Sequence, residues 1–230
     1  MKNYLLTLLI GIALVSCESE SANDMIVSGE IAGLKKGTLY LQHIQDSVLT
    51  TIDSLVIAGN GSFRFKTEVP SPELFYLYLK KADNNDLNDR ISFFGEAGEI
   101  SINTHWNTFD LNAEVSGSTS NDVLEECRTM LTNFNKRDLE LAQLAVLPEF
   151  QEVPERVDSI QKLMDRNIIR RYQYVLNFAL RNGNTPVAPY LALSEVADAN
   201  PKYLDSIRNN LSASAADSKY GKALAAYLDQ

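Results

Sequence analysis

The sequence predicts an α+β fold, an N-terminal antiparallel β-sandwich followed by an all-helical C-terminal domain, and three observations predict it. Between Met25 and about Ser116, apolar residues recur at every second position and turn residues break the chain at short intervals. After Ser116-Gly117-Ser118 the apolar spacing changes to three and four. The composition, 45% hydrophobic and 22% charged, is that of a chain that buries a core. A formal charge of -9 argues against a nucleic-acid reader, because phosphate backbones are held by clustered Lys and Arg. The same charge would make an anionic membrane surface repel the folded body.

The first element is an address. A single cation, Lys2, precedes the apolar stretch Tyr4-Leu5-Leu6-Thr7-Leu8-Leu9-Ile10-Gly11-Ile12-Ala13-Leu14-Val15, which ends at Ser16-Cys17. At about 1.5 Å of rise per residue this stretch reaches roughly 18 Å, short of the roughly 30 Å of a bilayer core. It therefore reads as a signal peptide over residues 1–16. Leu14-Val15-Ser16-Cys17 resembles the bacterial lipobox, in which the cysteine is acylated, with palmitate among the chains, and becomes the first residue of the mature protein. That resemblance implies lipid attachment at Cys17, a membrane contact made through the lipid, and an outer-membrane address at the periplasmic face or the cell surface. Residues 17–24 are polar and acidic and have nothing apolar to bury, as expected of a tether.

Residues 25–117 carry the strands. Val27, Gly29 and Ile31 alternate with Ser28 and Glu30, Leu39 and Leu41 with Tyr40 and Gln42, Phe63 and Phe65 with Arg64 and Lys66, and Ile100 and Ile102 with Ser101 and Asn103. Gly33 to Gly37, Gly59-Asn60-Gly61, Pro70-Ser71-Pro72 and Gly95 to Gly98 supply the turns. Leu74-Phe75-Tyr76-Leu77-Tyr78-Leu79 is apolar on both faces and reads as a central strand. Asp83 to Asp89 is expected to be the loop that follows it.

Residues 118–230 are predicted to be helical. Thr119 or Ser120 is expected to cap a first helix carrying Val123, Cys127, Met130, Leu131 and Phe134 on its apolar stripe. A second helix is predicted from Pro154 to Arg181, with Val157, Ile160, Met164, Ile168, Tyr172, Val175 and Ala179 on one face. Shorter helices follow at Val187 to Ala197, Pro201 to Leu211 and Ser218 to Leu228, with Asn200-Pro201 and Ser218 as starts.

Several segments together carry a family resemblance: Val27-Ser28-Gly29-Glu30-Ile31, Gly37-Thr38-Leu39-Tyr40-Leu41, Gly61-Ser62-Phe63-Arg64-Phe65, Phe93-Phe94-Gly95-Glu96-Ala97-Gly98-Glu99-Ile100 and Val115-Ser116-Gly117-Ser118. They resemble the N-terminal β-domain of Bacteroidota envelope lipoproteins known as domain of unknown function 4369, over about residues 25 to 120. In that family a helical stretch and then a thioredoxin-like domain with a Cys-x-x-Cys site often follow. The resemblance implies a chain with the β-domain and the helical stretch but without the thioredoxin-like part.

The motifs of chemistry are sparse. Once Cys17 carries lipid, Cys127 has no partner in the chain, and its place on an apolar stripe reads as a buried structural thiol. His43 and His105 lie far apart and do not make zinc-ligand spacing. Trp106, beside His105, is a packing tryptophan that could serve as an aromatic platform, so this pair forms the candidate ligand contact. Asp83-Asn84-Asn85-Asp86-Leu87-Asn88-Asp89 fails the calcium-loop pattern, since Leu87 holds the fifth position and Asn88 the sixth. Ser159-Ile160-Gln161-Lys162 matches a nucleophile motif only in Ser and Lys and lies inside an amphipathic helix. No catalytic residue, metal or cofactor is expected. The function expected is a non-catalytic binding or adaptor module with an envelope protein as partner. The alternative is an accessory of periplasmic thiol-disulfide redox acting with a separate thioredoxin-like partner.

Overall fold

A computed structural model describes residues 21–81 and 89–230. The signal peptide, Cys17 and most of the tether lie outside the described residues, as does the Asp83 to Asn88 part of the supposed calcium loop.

Eight strands follow in order: β1 (Asp24–Ala32), β2 (Lys36–Gln45), β3 (Val48–Ala58), β4 (Ser62–Glu68), β5 (Glu73–Lys81), β6 (Asp89–Gly95), β7 (Gly98–His105) and β8 (Glu114–Ser116). They form two four-stranded sheets, ordered β4-β1-β7-β8 and β3-β2-β5-β6. The expected antiparallel sandwich holds for every pairing except one, since β1 and β7 run parallel. Alternation of side chains reports which face is buried but not which way a neighbour runs. Here the whole second sheet intervenes in sequence between β1 and β7, which leaves ample chain for a parallel crossover. The β2–β3 hairpin turns on Asp46 and Ser47, both at positive φ (48° and 68°), as a two-residue turn that follows strand twist requires.

Between the sheets lies one core, built from Met25, Val27, Leu39, Leu41, Phe63, Phe65, Phe75, Leu77, Phe93, Ile100 and Ile102, with further aliphatic side chains around them. Leu74 and Phe94 point the other way, into a second core shared with the helices. The two-faced run in β5 is thereby explained: Phe75, Leu77 and Leu79 face the sandwich interior, while Leu74 and Tyr76 face the helical layer.

The helices are α1 (Thr119–Ala145), α2 (Pro148–Gln151), α3 (Pro154–Arg181), α4 (Val187–Glu195), α5 (Pro201–Asn210), α6 (Ala213–Asp217) and α7 (Lys219–Leu228). α3 begins and ends where the sequence places it, with Pro154 in its first turn. The cap of α1 is Ser118 rather than Thr119 or Ser120. The Ser118 hydroxyl accepts from the Asn121 N–H at 3.0 Å and donates to the Phe94 carbonyl at 2.7 Å, so one side chain both caps a helix and holds β6. Asn121 Oδ1 accepts from the Phe94 N–H at 2.9 Å, and Arg128 donates to the Ser92 carbonyl at 3.0 Å. Three outward backbone groups of edge strand β6, the Ser92 carbonyl and the Phe94 N–H and carbonyl, are thus occupied by the cap residue Ser118 and by side chains of α1, which obstructs pairing with another strand there.

Two apolar stripes need correction. On α1 the buried positions are Leu124, Cys127, Leu131 and Leu141, while Met130 is 39% exposed. On α3 they are Ile160, Val175, Phe178 and Ala179, while Val157 and Ile168 are about half exposed. The cause is that α3, touched on other sides by α5 and the short α2, is covered mainly along the side that meets α1 and α4. There a buried polar residue, Asn167, donates to the Phe134 carbonyl at 3.0 Å and to Asp138 Oδ1 at 2.7 Å, pinning the two long helices in register.

A second anchor lies at the base of α1. Glu96 accepts from the Thr119 hydroxyl at 2.9 Å, the Ser120 N–H at 3.2 Å and the Ser120 hydroxyl at 2.5 Å. Burial opposes its ionisation, but the hydrogen bonds from Ser120 and Thr119 outweigh that and hold its carboxyl below the ordinary 4.5. A depressed folded-state value means stability present above the unfolded pKa and lost as pH falls through the folded one. Glu96→Gln is expected to flatten this acid limb in urea melts between pH 6 and pH 3 and to leave the neutral-pH midpoint lower than in the parent chain. An unchanged acid limb would show that the carboxylate contributes nothing at this helix start.

Candidate functional site

Cys127 lies in the second core with no exposed surface, among Leu124, Leu131, Val175 and Phe178. Burial first, and then the negative charge of Glu195, pushes its thiol up to about 12. A thiolate is therefore absent at neutral pH, and the thiol is a packing group. Native protein is expected to react with a maleimide only on the timescale of global unfolding, with labelling accelerating in urea in step with loss of structure. Labelling within seconds in buffer would reverse this assignment.

The two histidines occupy different sheets. His43 lies on β2, an interior strand rather than an edge, and is half-buried. Its Nδ1 is 3.3 Å from Glu73 Oε1 and its ring stacks on Phe75 at 5.8 Å. Glu73, itself buried, is also paired with the Lys219 ammonium, which donates to the Ile44 carbonyl at 2.7 Å. This carboxylate, with the Lys219 ammonium and the His43 ring as partners, ties β2 and β5 to the first residue of α7, a seam that linear spacing could not reveal. Among the described residues, no three His, Cys, Asp or Glu side chains gather as a metal site would require.

His105 ends β7 and Trp106 follows it, with the Trp106 N–H donating to the Ala32 carbonyl at 3.1 Å. Trp106 is 40% exposed, and the Lys81 ammonium stands 5.7 Å from its ring centroid. Gly33, at φ +80°, passes so close beneath the indole that a Cβ there would lie 2.6 Å from Trp106 Cδ1. Packing at the end of the sandwich thus uses much of the ring. Nearby, Lys36, Lys80, Lys81 and Tyr40 line a shallow depression on the second sheet. Further along that sheet, Tyr40 stacks on Tyr78 at 5.7 Å, and the Arg90 guanidinium lies 5.2 Å above the Tyr78 ring.

Another open concavity lies elsewhere, between α3 and α5. It encloses about 660 Å³ and is walled by Ile168, Ile169, Tyr172, Leu176, Leu180 and Tyr203. Ile168, Ile169 and Tyr203 are each about half exposed. The Tyr172 hydroxyl donates to Asp198 at 2.6 Å, holding the ring against the floor and raising its own pKa. Sequence reasoning placed Ile168 and Tyr172 on a buried stripe and gave no role to Ile169, Leu176 or Leu180. The available signal was that α3 is apolar on more than one face, which a single-stripe reading discards.

Residues 25–124 match the model of a family described as Domain of unknown function (DUF4369). No curated protein and no solved structure matches the chain. The matched segment runs past the last strand into α1 and includes Ser118, Asn121 and Leu124, the side chains that cap β6 and begin the second core. The N-terminal part of this chain, the sandwich together with the first turns of α1, is a DUF4369 domain.

Proposed function

We propose that this chain is a cell-envelope protein anchored by lipid at Cys17 and working as a non-catalytic binding or adaptor module at the outer membrane. The observation that carries the binding reading is the open apolar groove between α3 and α5, with Ile168, Ile169 and Tyr203 about half exposed beside it. A folded chain spends apolar surface in this way where something covers it. The lipobox-like Leu14-Val15-Ser16-Cys17 supports the anchor. β1 begins at Asp24, seven residues beyond Cys17, so a fully extended tether would hold the body within about 25 Å of the lipid surface. The redox reading gains nothing from Cys127, whose thiol is buried and stays protonated.

The experiment has two parts. Cells fed an alkyne-tagged palmitate should label the parent chain, and Cys17→Ser should abolish both the label and recovery in the outer-membrane fraction. Cross-linking in intact cells followed by mass spectrometry should then return a reproducible envelope protein. Equal labelling of Cys17→Ser would overturn the anchor. An empty capture, or measurable turnover of envelope glycans or peptides by pure protein, would overturn the adaptor reading.

A further inference from the structure

We propose that the groove between α3 and α5 docks an amphipathic helix of a protein partner whose flank is acidic. The inference rests on the binding-module reading and adds the partner's chemistry. Three observations carry it. The first is shape: the apolar wall from Ile168 to Leu180 runs along a single helix for roughly 18 Å, at about 1.5 Å per residue. About three turns of a partner helix cover that length and present three to four apolar side chains on one face, a common mode of peptide recognition. A trough that runs along a helix and is open to solvent suits such a row better than a compact ligand, which is usually enclosed on most sides.

The second observation is a stripe that is only partly covered: Leu176 and Leu180 pack in part against the second core, while Ile168 and Ile169 stand about half exposed. Ile169, Leu176 and Leu180 recur at spacings of seven and four on α3, the spacing of a face that packs on another helix. The opposite face of α3 already packs on α1 and α4 through Ile160, Val175, Phe178 and Ala179. α5 covers only one side of the stripe, through Tyr203 and Ser206.

The third observation fixes the charge. Arg166, Arg170 and Arg181 are exposed and fall on the flank of the stripe away from α5, following the helical period beside Ile169, Gln173 and Asn177. Arg166 Nε donates to the Lys162 carbonyl at 3.1 Å and Arg181 Nε to the Asn177 carbonyl at 3.4 Å, but among the described residues none of the three pairs with a carboxylate. Asp198 is engaged by Tyr172, and Asp205 by Arg208. A row of three arginines is conspicuous on a chain of net charge -9. Because screening at physiological salt limits charge interactions to about 8 Å, this local row rather than the net charge faces a docked helix. Such a row selects Glu and Asp along the partner's flank and rejects Lys and Arg there.

The test uses the full-length chain in phosphatidylcholine nanodiscs and a displayed library of 18-residue helices with Leu at three- and four-residue spacing and randomised flanks, with empty nanodiscs subtracted. Enriched peptides should carry Glu or Asp on one flank. Their affinity should fall at least tenfold against Ile169→Asp. It should fall at least tenfold against Arg166→Glu/Arg170→Glu/Arg181→Glu, with Lys-flanked peptides gaining in return. Circular dichroism melts of these surface variants should match the parent chain. Enrichment without flank preference, binding unaffected by Ile169→Asp, or no enrichment at all would each overturn the proposal. So would a fluorescent long-chain fatty acid that binds with Ile169 dependence while peptides do not. If cells still yield a cross-linked partner in that event, the adaptor reading stands and only the groove's occupant is wrong.

Discussion

Phe94→Ala is expected to lower the stability of the chain by about 3–5 kcal/mol, the cost of emptying a large aromatic site in a core that relaxes only in part. Phe94 has no exposed surface, meets Tyr190 edge-on at 5.7 Å and lies 5.8 Å from Tyr220. The Tyr220 hydroxyl accepts from the Leu74 N–H at 3.1 Å, and burial pushes its pKa up, so it stays a neutral hydrogen-bonding group across the physiological range. The Phe94 ring is thus the point at which the sheet and the helices become one body. Urea unfolding followed by tryptophan fluorescence and by circular dichroism at 222 nm measures this. Trp106 reports from the sandwich, and the ellipticity reports mainly from the helices. In the parent chain the two signals should coincide in one transition, and in Phe94→Ala they should separate, the helical signal being lost first. A loss below about 1 kcal/mol with coincident transitions would mean that the seam is held elsewhere.

The second large effect is expected at the Glu73–Lys219 pair. Glu73 is buried and Lys219 partly so, with the His43 ring as a second neighbour of the carboxylate. Lys219→Met leaves a buried carboxylate with only the histidine, and breaking a buried pair on one side costs about 3–5 kcal/mol. Lys219 is the more exposed member, with 37% of its side chain accessible, so the loss belongs at the lower end of that range. Glu73→Leu/Lys219→Met together should recover most of it, because neither charge is then stranded and the site lies against apolar side chains of β5. A double-mutant cycle on urea midpoints reads this directly. Additive losses would mean that the two side chains do not act as a pair.

How much of this was legible beforehand differs from element to element. The sequence predicts α3 at both ends, from Pro154, which is tolerated in a first helical turn, to Arg181, where the apolar stripe runs out, and these local signals need no partner. β5 was recognised as central because apolar residues on both of its faces demand cover on both sides. The cap of α1 was missed by one or two residues. Thr119, Ser120 and Ser118 have equivalent local chemistry, and the choice was made by Phe94 and Glu96, which reach α1 from 23 or more residues away in sequence. Ile168 was read as core for a similar reason: periodicity says that a face is apolar, and only the neighbours decide whether it is covered. The candidate ligand contact at His105 and Trp106 was chosen on residue type, and the contacts that Gly33 and Lys81 make with the indole are tertiary.

By itself the sequence determined the class of fold, the place where strands give way to helices, the burial of Cys127 and the relation to a known domain. The first three follow from spacing and composition within short windows, where side-chain direction is set by the local backbone period, and the last from the resemblance of whole segments to that family. Tertiary structure alone decided the parallel pairing of β1 with β7, the sealing of β6 by Ser118, Asn121 and Arg128, the Glu73–Lys219 seam and the open groove on α3. Each of these depends on which distant surfaces meet. That outcome is set by the packing of whole layers against one another, and no local window contains it.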